Sequence, residues 1–249
     1  MPIKIAQHPT KPYQVKFYPE SHKYIMNDET ELRSVSEVIA DFFPNFDFAN
    51  VSKEYAAKHN IPLDDVRRMW NQERDKAIDF GNAVHKYIEY KLMNKDTSEI
   101  EGIDEETRNN IDNFIRFLSG SYQIVSAEFI VFSPEYKVAG TIDALFQSKE
   151  NPKSYLLIDW KTCKKIDYQS TYSYSELLEL YNNGFTLYSL QLNFYRWLLV
   201  HEGYVDSEDV NMCIVHIRPN QTPTVYGVPP LQSYIAKMLS YLSITTQKT

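Results

Sequence analysis

Residues 122–161 read YQIVSAEFIVFSPEYKVAGTIDALFQSKENPKSYLLIDWK, and this stretch decides the fold. It holds three segments rich in β-branched, aromatic and aliphatic residues, at 122–132, 136–146 and 155–159. Turn signals separate the segments, first at Ser133-Pro134 and then at Asn151-Pro152. Because short connections join antiparallel neighbours, the stretch predicts a three-stranded antiparallel meander.

Helical patterns lie on both sides of this meander. Before it, apolar residues recur at helical spacing from Pro62 to Met93 and again from Glu105 to Leu118. Gly81 is the weak point of the first helix, and we expect a kink or a break there. After the meander, the sequence predicts a helix at 187–201, strands at 210–217 and 224–228, and a helix at 231–242. The predicted fold is α/β, a central mixed β-sheet with an antiparallel meander, flanked by helices and extended by helical additions.

The first fifty residues are predicted to form an accessory segment. Residues 14–18 and 22–26 are strand candidates joined by a turn. Ser34 or Ser36 can cap the helix that follows, which Pro44 ends. The predicted division is an N-terminal β-hairpin and helix at 1–50, followed by the main domain at 51–249.

Composition leaves nucleic-acid binding open and argues against several other classes. The net charge of −7 speaks against a wholly basic nucleic-acid coat, but a local basic groove can still bind phosphate. The two cysteines, Cys163 and Cys213, form no CxxC pair, so cysteine alone cannot build a zinc ribbon or an iron–sulfur cluster. No run approaches the ~18 apolar residues of a membrane span, and the polar start lacks a signal-peptide pattern. We therefore expect a cytoplasmic protein without a membrane partner, or one that works in a host cytoplasm if it is phage-encoded.

Two aspartates and a lysine on neighbouring strands carry the strongest chemical signal. Asp159 and Lys161 follow a buried apolar run and project from the same face, because side chains alternate along a strand. Alone, this pair could be a surface ion pair at a strand end. Asp143 on the preceding strand can lie beside Asp159, and two adjacent carboxylates repel unless a cation or a shared proton relieves them. Gly140, three residues earlier, either allows a close approach of backbone or substrate or marks a β-bulge.

Three further pieces are weak alone and stand in a fixed order around this trio. His85 and Glu89 are four residues apart on one helical face, although a lone helical histidine is more often structural. Glu128 begins an apolar strand segment. Gln191 and Tyr195 are again four apart on one face of the later helix.

Together these pieces resemble the RecB-type branch of the PD-(D/E)xK nuclease superfamily, which includes CRISPR adaptation nucleases and mitochondrial genome maintenance exonucleases. The pattern of that family is a helical G-x-x-x-H-x-x-x-E, an acidic residue, G-h-h-D with h hydrophobic, [D/E]-h-K and Q-h-x-x-Y. The matching residues here are Gly81/His85/Glu89, Glu128, Gly140/Asp143, Asp159/Lys161 and Gln191/Tyr195. Thr141 stands where an apolar residue is usual, and the likeness covers roughly residues 78 to 200.

The resemblance implies a restriction-endonuclease-like core at 51–249 and a metal-dependent deoxyribonuclease activity. It implies that His85, Asp143, Asp159 and the main-chain carbonyl of Trp160 bind one or two Mg²⁺ or Mn²⁺ ions, and that Lys161 serves the attacking water. Asp143, Asp159 and Lys161 would be catalytic, and the remaining motif residues would bind DNA or support the motifs: Glu89, Glu128, Gln191 and Tyr195. Several relatives carry four cysteines for an iron–sulfur cluster, which this chain cannot build.

The expected activity is exonucleolytic hydrolysis of DNA that is single-stranded or has a free end, in replication, recombination or repair. No G-x-x-x-x-G-K-[S/T] motif is present, so a helicase or recombination partner would be a separate polypeptide. Two alternatives stay open: a structure-specific endonuclease, and a nuclease-fold DNA-binding protein that no longer cleaves.

Overall fold

A large mixed β-sheet with helices on both faces forms the centre of the fold. The structure is a computed structural model that describes residues 2–27, 29–43, 47–168 and 174–246. Its strands are β1 (Lys4–Gln7), β2 (Gln14–Tyr18), β3 (Lys23–Met26), β4 (Glu31–Ser34), β5 (Tyr122–Ser133), β6 (Val138–Ser148), β7 (Tyr155–Lys161), β8 (Tyr174–Ser175), β9 (Leu180–Tyr181), β10 (Val210–His216) and β11 (Thr224–Gly227). Its helices are α1 (Val35–Ala40), α2 (Phe48–His59), α3 (Leu63–Leu92), α4 (Glu105–Ser121), α5 (Gly184–His201) and α6 (Gln232–Thr246).

The predicted meander is confirmed and forms the middle of this sheet. Strands β5, β6 and β7 pair antiparallel in chain order. Beyond them β10 pairs parallel with β7, and β11 pairs antiparallel with β10. A parallel pair requires a crossover, which α5 provides between β7 and β10. The α/β class with a mixed sheet between helices is therefore as expected.

Two apolar cores lie on opposite faces of the sheet, because side chains alternate along β7 and β10. On one face Leu157 and Ile214 pack with α1, α5 and α6. On the other face Ile158 and Val215 pack with α4 and the second half of α3. Within the described ranges, no helix is both long and apolar enough to cross a membrane.

The prediction of a break in α3 at Gly81 is wrong, because the helix runs unbroken from Leu63 to Leu92. One glycine costs a helix only about 1 kcal/mol, which tertiary packing outweighs. A Cβ atom at this position would lie 3.0 Å from Thr162 Oγ1. Gly81 thus lets α3 approach the chain that leaves β7.

The N-terminal segment is larger than the predicted hairpin and joins the central sheet. The hairpin of β2 and β3 is confirmed, but β1 and β4 extend it to four strands, and β4 pairs parallel with β6. Ser34 caps α1 as expected, in a capping box with Glu37. Pro44, the expected end of that helix, lies outside the described residues. The division into two parts at residue 50 stays a prediction.

A buried hydrogen-bonded cluster ties the N-terminal segment to the end of α5. His8 Nε2 lies 3.0 Å from Glu202 Oε2, and both side chains are inaccessible to solvent. Lys11 Nζ lies 2.6 Å from the same oxygen. The centroid of the His8 ring also lies 5.3 Å from that of Phe132 and 5.4 Å from that of Tyr204. This cluster joins segments almost two hundred residues apart along the chain.

Replacing His8 with leucine is expected to reduce the acid sensitivity of the fold. Burial lowers the pKa of His8; burial also acts to raise the pKa of Glu202, but hydrogen bonds and the charge of Lys11 outweigh it and lower that pKa. Both groups therefore bind protons more weakly in the folded chain. The free energy of unfolding falls as pH drops below about 6.5 through His8, and below about 4.5 through Glu202.

Urea unfolding of His8→Leu near neutral pH should show a loss of about 1–3 kcal/mol, because Glu202 loses a buried partner. Between about pH 7.5 and 5.5 the variant should lose less stability than the wild type does. The control is His59→Gln, which removes an exposed histidine of α2. An equal loss in His8→Leu and wild type over that range would contradict the prediction.

Candidate metal centre

The candidate centre lies at a short gap along one edge of strand β6, between the two strands that pair with that edge. On that edge β4 pairs with Val138 and Ala139, and β7 pairs with residues 144–147. Within the described part of the chain, residues 140–143 have no strand partner there. Asp143 Oδ2 instead accepts a 2.8 Å hydrogen bond from the backbone N–H of Trp160. This bond fixes the Asp143 carboxylate at the point where β6 and β7 diverge.

Helix α3 brings His85 to this carboxylate from one face of the sheet. His85 Nδ1 lies 3.5 Å from Asp143 Oδ1. Burial acts to lower the pKa of His85, but the charge and hydrogen bond of Asp143 outweigh burial and raise it to about 9. Burial likewise acts to raise the pKa of Asp143, and His85, Lys161 and the Trp160 amide together lower it. At neutral pH the free pair is therefore an imidazolium beside a carboxylate.

Glu128 approaches the same place from β5 with an unusual backbone. Its φ is +51°, in the left-handed region that costs a residue with a side chain roughly 1–2 kcal/mol. Burial and the charge of Asp143 raise the pKa of its carboxyl group. Glu128 Oε2 lies 3.3 Å from Lys4 Nζ, which comes from β1. Such strain inside a strand is typical of a functional position.

The side chains of His85, Glu128 and Asp143 form a group that could hold a metal ion. One ligand atom from each lies within 4.8 Å of the others, and all three residues are partly accessible. Two carboxylates and one imidazole are donors that divalent metal ions accept in proteins. The chemistry of the donors therefore fits a divalent metal ion.

Asp159 and Lys161 form a second, more buried pair beside this group. Lys161 Nζ lies 2.7 Å from Asp159 Oδ2, and Asp159 is only 3% exposed. Burial raises the pKa of Asp159 to about 6 and Asp143 adds to the rise, while Lys161 opposes it. Burial acts to lower the pKa of Lys161, but Asp159 and Asp143 outweigh it and raise that pKa. The lysine is therefore an ammonium group held at the edge of the cluster.

Helix α5 holds Lys161 from the opposite face of the sheet. Gln191 Oε1 accepts a hydrogen bond of 3.3 Å from Lys161 Nζ, and the Tyr188 ring lies 4.6 Å below the same nitrogen. Gln191 Nε2 donates to the Tyr195 hydroxyl at 3.2 Å and to Ser36 Oγ at 3.4 Å. These contacts fix the orientation of the Lys161 side chain.

Gly140 allows a close approach, as expected, but the group that approaches it is the Tyr195 side chain and not backbone or substrate. A Cβ atom on Gly140 would lie 2.4 Å from Tyr195 Cε1, so no other residue leaves room for this ring. Gly140 pairs in register with Val131, which excludes the bulge alternative. The adjacent Thr141, unusual in the motif, accepts or donates a 2.8 Å hydrogen bond with the Tyr24 hydroxyl.

The structure brings most of the predicted residues together around the group of His85, Glu128 and Asp143. Glu128, expected as motif support, lies in the ligand group, and Asp159 instead contacts Lys161. Glu89 pairs with Lys95 at 3.3 Å, near the end of α3. The roles of Asp159 and of the Trp160 carbonyl as metal ligands stay predictions.

Two residues at the centre were missed by sequence reasoning. Tyr188 lies three residues before Gln191 on the same helical face, so helical spacing could have indicated it. Lys4 carried no local signal, because it meets Glu128 only through the fold of the N-terminal strands.

Comparison with protein-family models and with curated proteins gave no match. Among solved structures, the chain is similar to the crystal structure of SSO0001. The two share 13% sequence identity over 87% of this chain and 76% of that chain, with a TM-score of 0.32. A likeness at this level carries no argument about the site.

Proposed function

We propose that the protein is a metal-dependent deoxyribonuclease with a restriction-endonuclease-like core, similar to the RecB-type PD-(D/E)xK nucleases. One observation carries the proposal: His85, Glu128 and Asp143 gather their ligand atoms within 4.8 Å, beside the buried Asp159–Lys161 pair. The order of the motifs along the chain supports the same reading. The proposed cofactor is one or two Mg²⁺ or Mn²⁺ ions, without an iron–sulfur cluster.

The residues around the centre have distinct tasks in phosphodiester hydrolysis. A bound divalent cation would supply charge stabilisation on the attacking and leaving oxygens. His85, Glu128 and Asp143 would hold that cation. Lys161, fixed by Asp159 and α5, directs its ammonium group toward a water or a phosphate oxygen and stabilises developing negative charge. Its raised pKa keeps it an ammonium group, so it is suited to orient water and not to remove a proton.

The proposed substrate is DNA that is single-stranded or has a free end, and the reaction is exonucleolytic. The resemblance of the motifs supports this choice, together with a role in replication, recombination or repair. A helicase or recombination partner would be a separate chain.

Digestion of end-labelled DNA tests the proposal. Linear single and double strands and a closed single-stranded circle are incubated with Mg²⁺, with Mn²⁺ and with excess chelator. We expect metal-dependent loss of the linear strands, an intact circle, and no cleavage in chelator. Asp143→Asn should lower the rate by roughly a hundredfold or more, because its carboxylate would hold the cation.

The matched control is Asp64→Asn, which removes an exposed carboxylate at the start of α3 and should keep the wild-type rate. Cleavage in chelator, or a wild-type rate in Asp143→Asn, would overturn the nuclease proposal. Cleavage of the circle would replace the exonuclease by an endonuclease.

A further inference from the structure

Lys4 is a cation that reaches the candidate metal centre from a distant part of the chain. Its Nζ atom lies 3.3 Å from Glu128 Oε2, and 124 residues separate the two along the sequence. The Lys4 side chain keeps 32% of its surface exposed, while Glu128 keeps 23%. The ion pair is therefore partly open to solvent, and its carboxylate belongs to the ligand group.

The packing of the N-terminal strands explains how Lys4 arrives there. Val15, Phe17 and Tyr24 share an apolar core with Ile130 and Phe132 of β5. This core places the meander of β1 to β4 against β5, next to Glu128. The buried core therefore fixes the backbone that carries Lys4 beside Glu128.

The ammonium group of Lys4 and a metal ion at the ligand group would share one carboxylate. Lys4 is paired with Glu128, one of the three residues of that group. A divalent cation that takes Glu128 as a ligand must compete with the ammonium group of Lys4 for the same carboxylate. Lys4 would then be left beside a cation, an unfavourable position unless an anion joins them.

We propose that Lys4 exchanges Glu128 for a phosphate of the nucleic-acid strand when metal and substrate bind. The inference rests on the proposed nuclease function. Before binding, Glu128 holds the ammonium group at the centre. Afterwards the cation holds Glu128, and the freed ammonium neutralises one phosphate of the strand. Lysine suits this exchange, because its ammonium is a point charge on a flexible stem.

The first test is metal binding without DNA. Mn²⁺ is titrated into wild type, Lys4→Gln and Lys4→Arg by isothermal calorimetry. Because Lys4→Gln removes a charge that competes for Glu128, it should bind Mn²⁺ roughly three- to tenfold more tightly. Lys4→Arg keeps the charge and should resemble wild type. Lys23→Gln is the matched control, since Lys23 pairs with Glu31 on the same N-terminal strands, with half of its surface exposed.

The second test is DNA binding with saturating Mn²⁺ in the Lys161→Ala background, measured by fluorescence anisotropy over a range of salt concentrations. Adding Lys4→Gln should weaken binding of a single strand about three- to tenfold. The plot of log K against log salt should also become shallower, its negative slope shrinking in magnitude by about 0.7, the value for one phosphate contact. Adding Lys23→Gln should leave both quantities unchanged.

The Lys4 proposal is overturned if Lys4→Gln keeps the parent affinity for Mn²⁺, or if it keeps the parent salt slope. The nuclease proposal fails on a different result, namely that wild type shows no metal-dependent cleavage. Metal-dependent cleavage together with an unchanged salt slope would therefore reject the role of Lys4 alone. A parent that binds no DNA, together with a wild type that shows no metal-dependent cleavage, would reject both.

Discussion

Lys161→Ala is expected to abolish cleavage, with a fall in kcat of roughly a thousandfold or more, while DNA affinity stays within about threefold of wild type. The reason is the fixed position of the ammonium group. Asp159 lies 2.7 Å away, Gln191 Oε1 lies 3.3 Å away, and the Tyr188 ring lies beneath. No other cationic side chain among the described residues shares this set of contacts. Single-turnover cleavage of end-labelled DNA with Mn²⁺ measures the loss.

The removal of Lys161 also leaves Asp159 buried without its cation. We therefore expect the carboxyl group to take up a proton at higher pH than in wild type, and thermal unfolding should accompany every activity assay. Lys161→Met fills the same space without the charge and separates lost chemistry from lost packing. Lys164→Ala is the control, because Lys164 is an exposed residue of the adjoining loop that pairs with Glu73. Near-wild-type cleavage by a folded Lys161→Met would show that the reaction does not require Lys161.

The fold was predictable where local patterns and packing agree. β5, β6 and β7 follow from apolar segments between turn signals, since each strand is long enough to show its pattern. β1 and β4 have four residues each and show no such pattern, so sequence reasoning missed them. At Gly81 local propensity was misleading, because contact with Thr162 and the surrounding core outweighs the cost of one glycine in a helix.

The candidate site was predictable only as far as neighbouring strands determine it. Asp143, Asp159 and Lys161 lie on adjacent strands of one meander, so their proximity follows from strand order. The contact between Lys4 and Glu128 depends on an N-terminal meander packed against β5, which no local spacing encodes. The left-handed backbone of Glu128 likewise has no signal in the local sequence.

Gly140→Ala is expected to damage both the fold and the proposed activity. Its Cβ would lie 2.4 Å from Tyr195 Cε1 and 3.1 Å from the Tyr195 hydroxyl oxygen. The Tyr195 ring is 5% exposed and cannot move without disturbing its neighbours. Overpacking of this kind costs about 1–3 kcal/mol, more than alanine gains over glycine in a strand. Movement of the ring would also disturb Gln191 and, through it, Lys161, so cleavage should fall roughly tenfold or more.

Urea unfolding and the cleavage assay together test this chain of contacts. Gly227→Ala is the matched control, because a Cβ on that strand glycine meets no atom within 4 Å, and its stability should stay within about 0.5 kcal/mol of wild type. If the Tyr195 ring is the cause, Tyr195→Ala should relieve the clash, and the double variant should be more stable than the sum of the two single losses predicts by about 1–2 kcal/mol. Strict additivity, or wild-type stability of Gly140→Ala, would show that Gly140 is not what admits the ring. The double variant need not recover cleavage, because Tyr195→Ala also removes the hydroxyl group that Gln191 contacts.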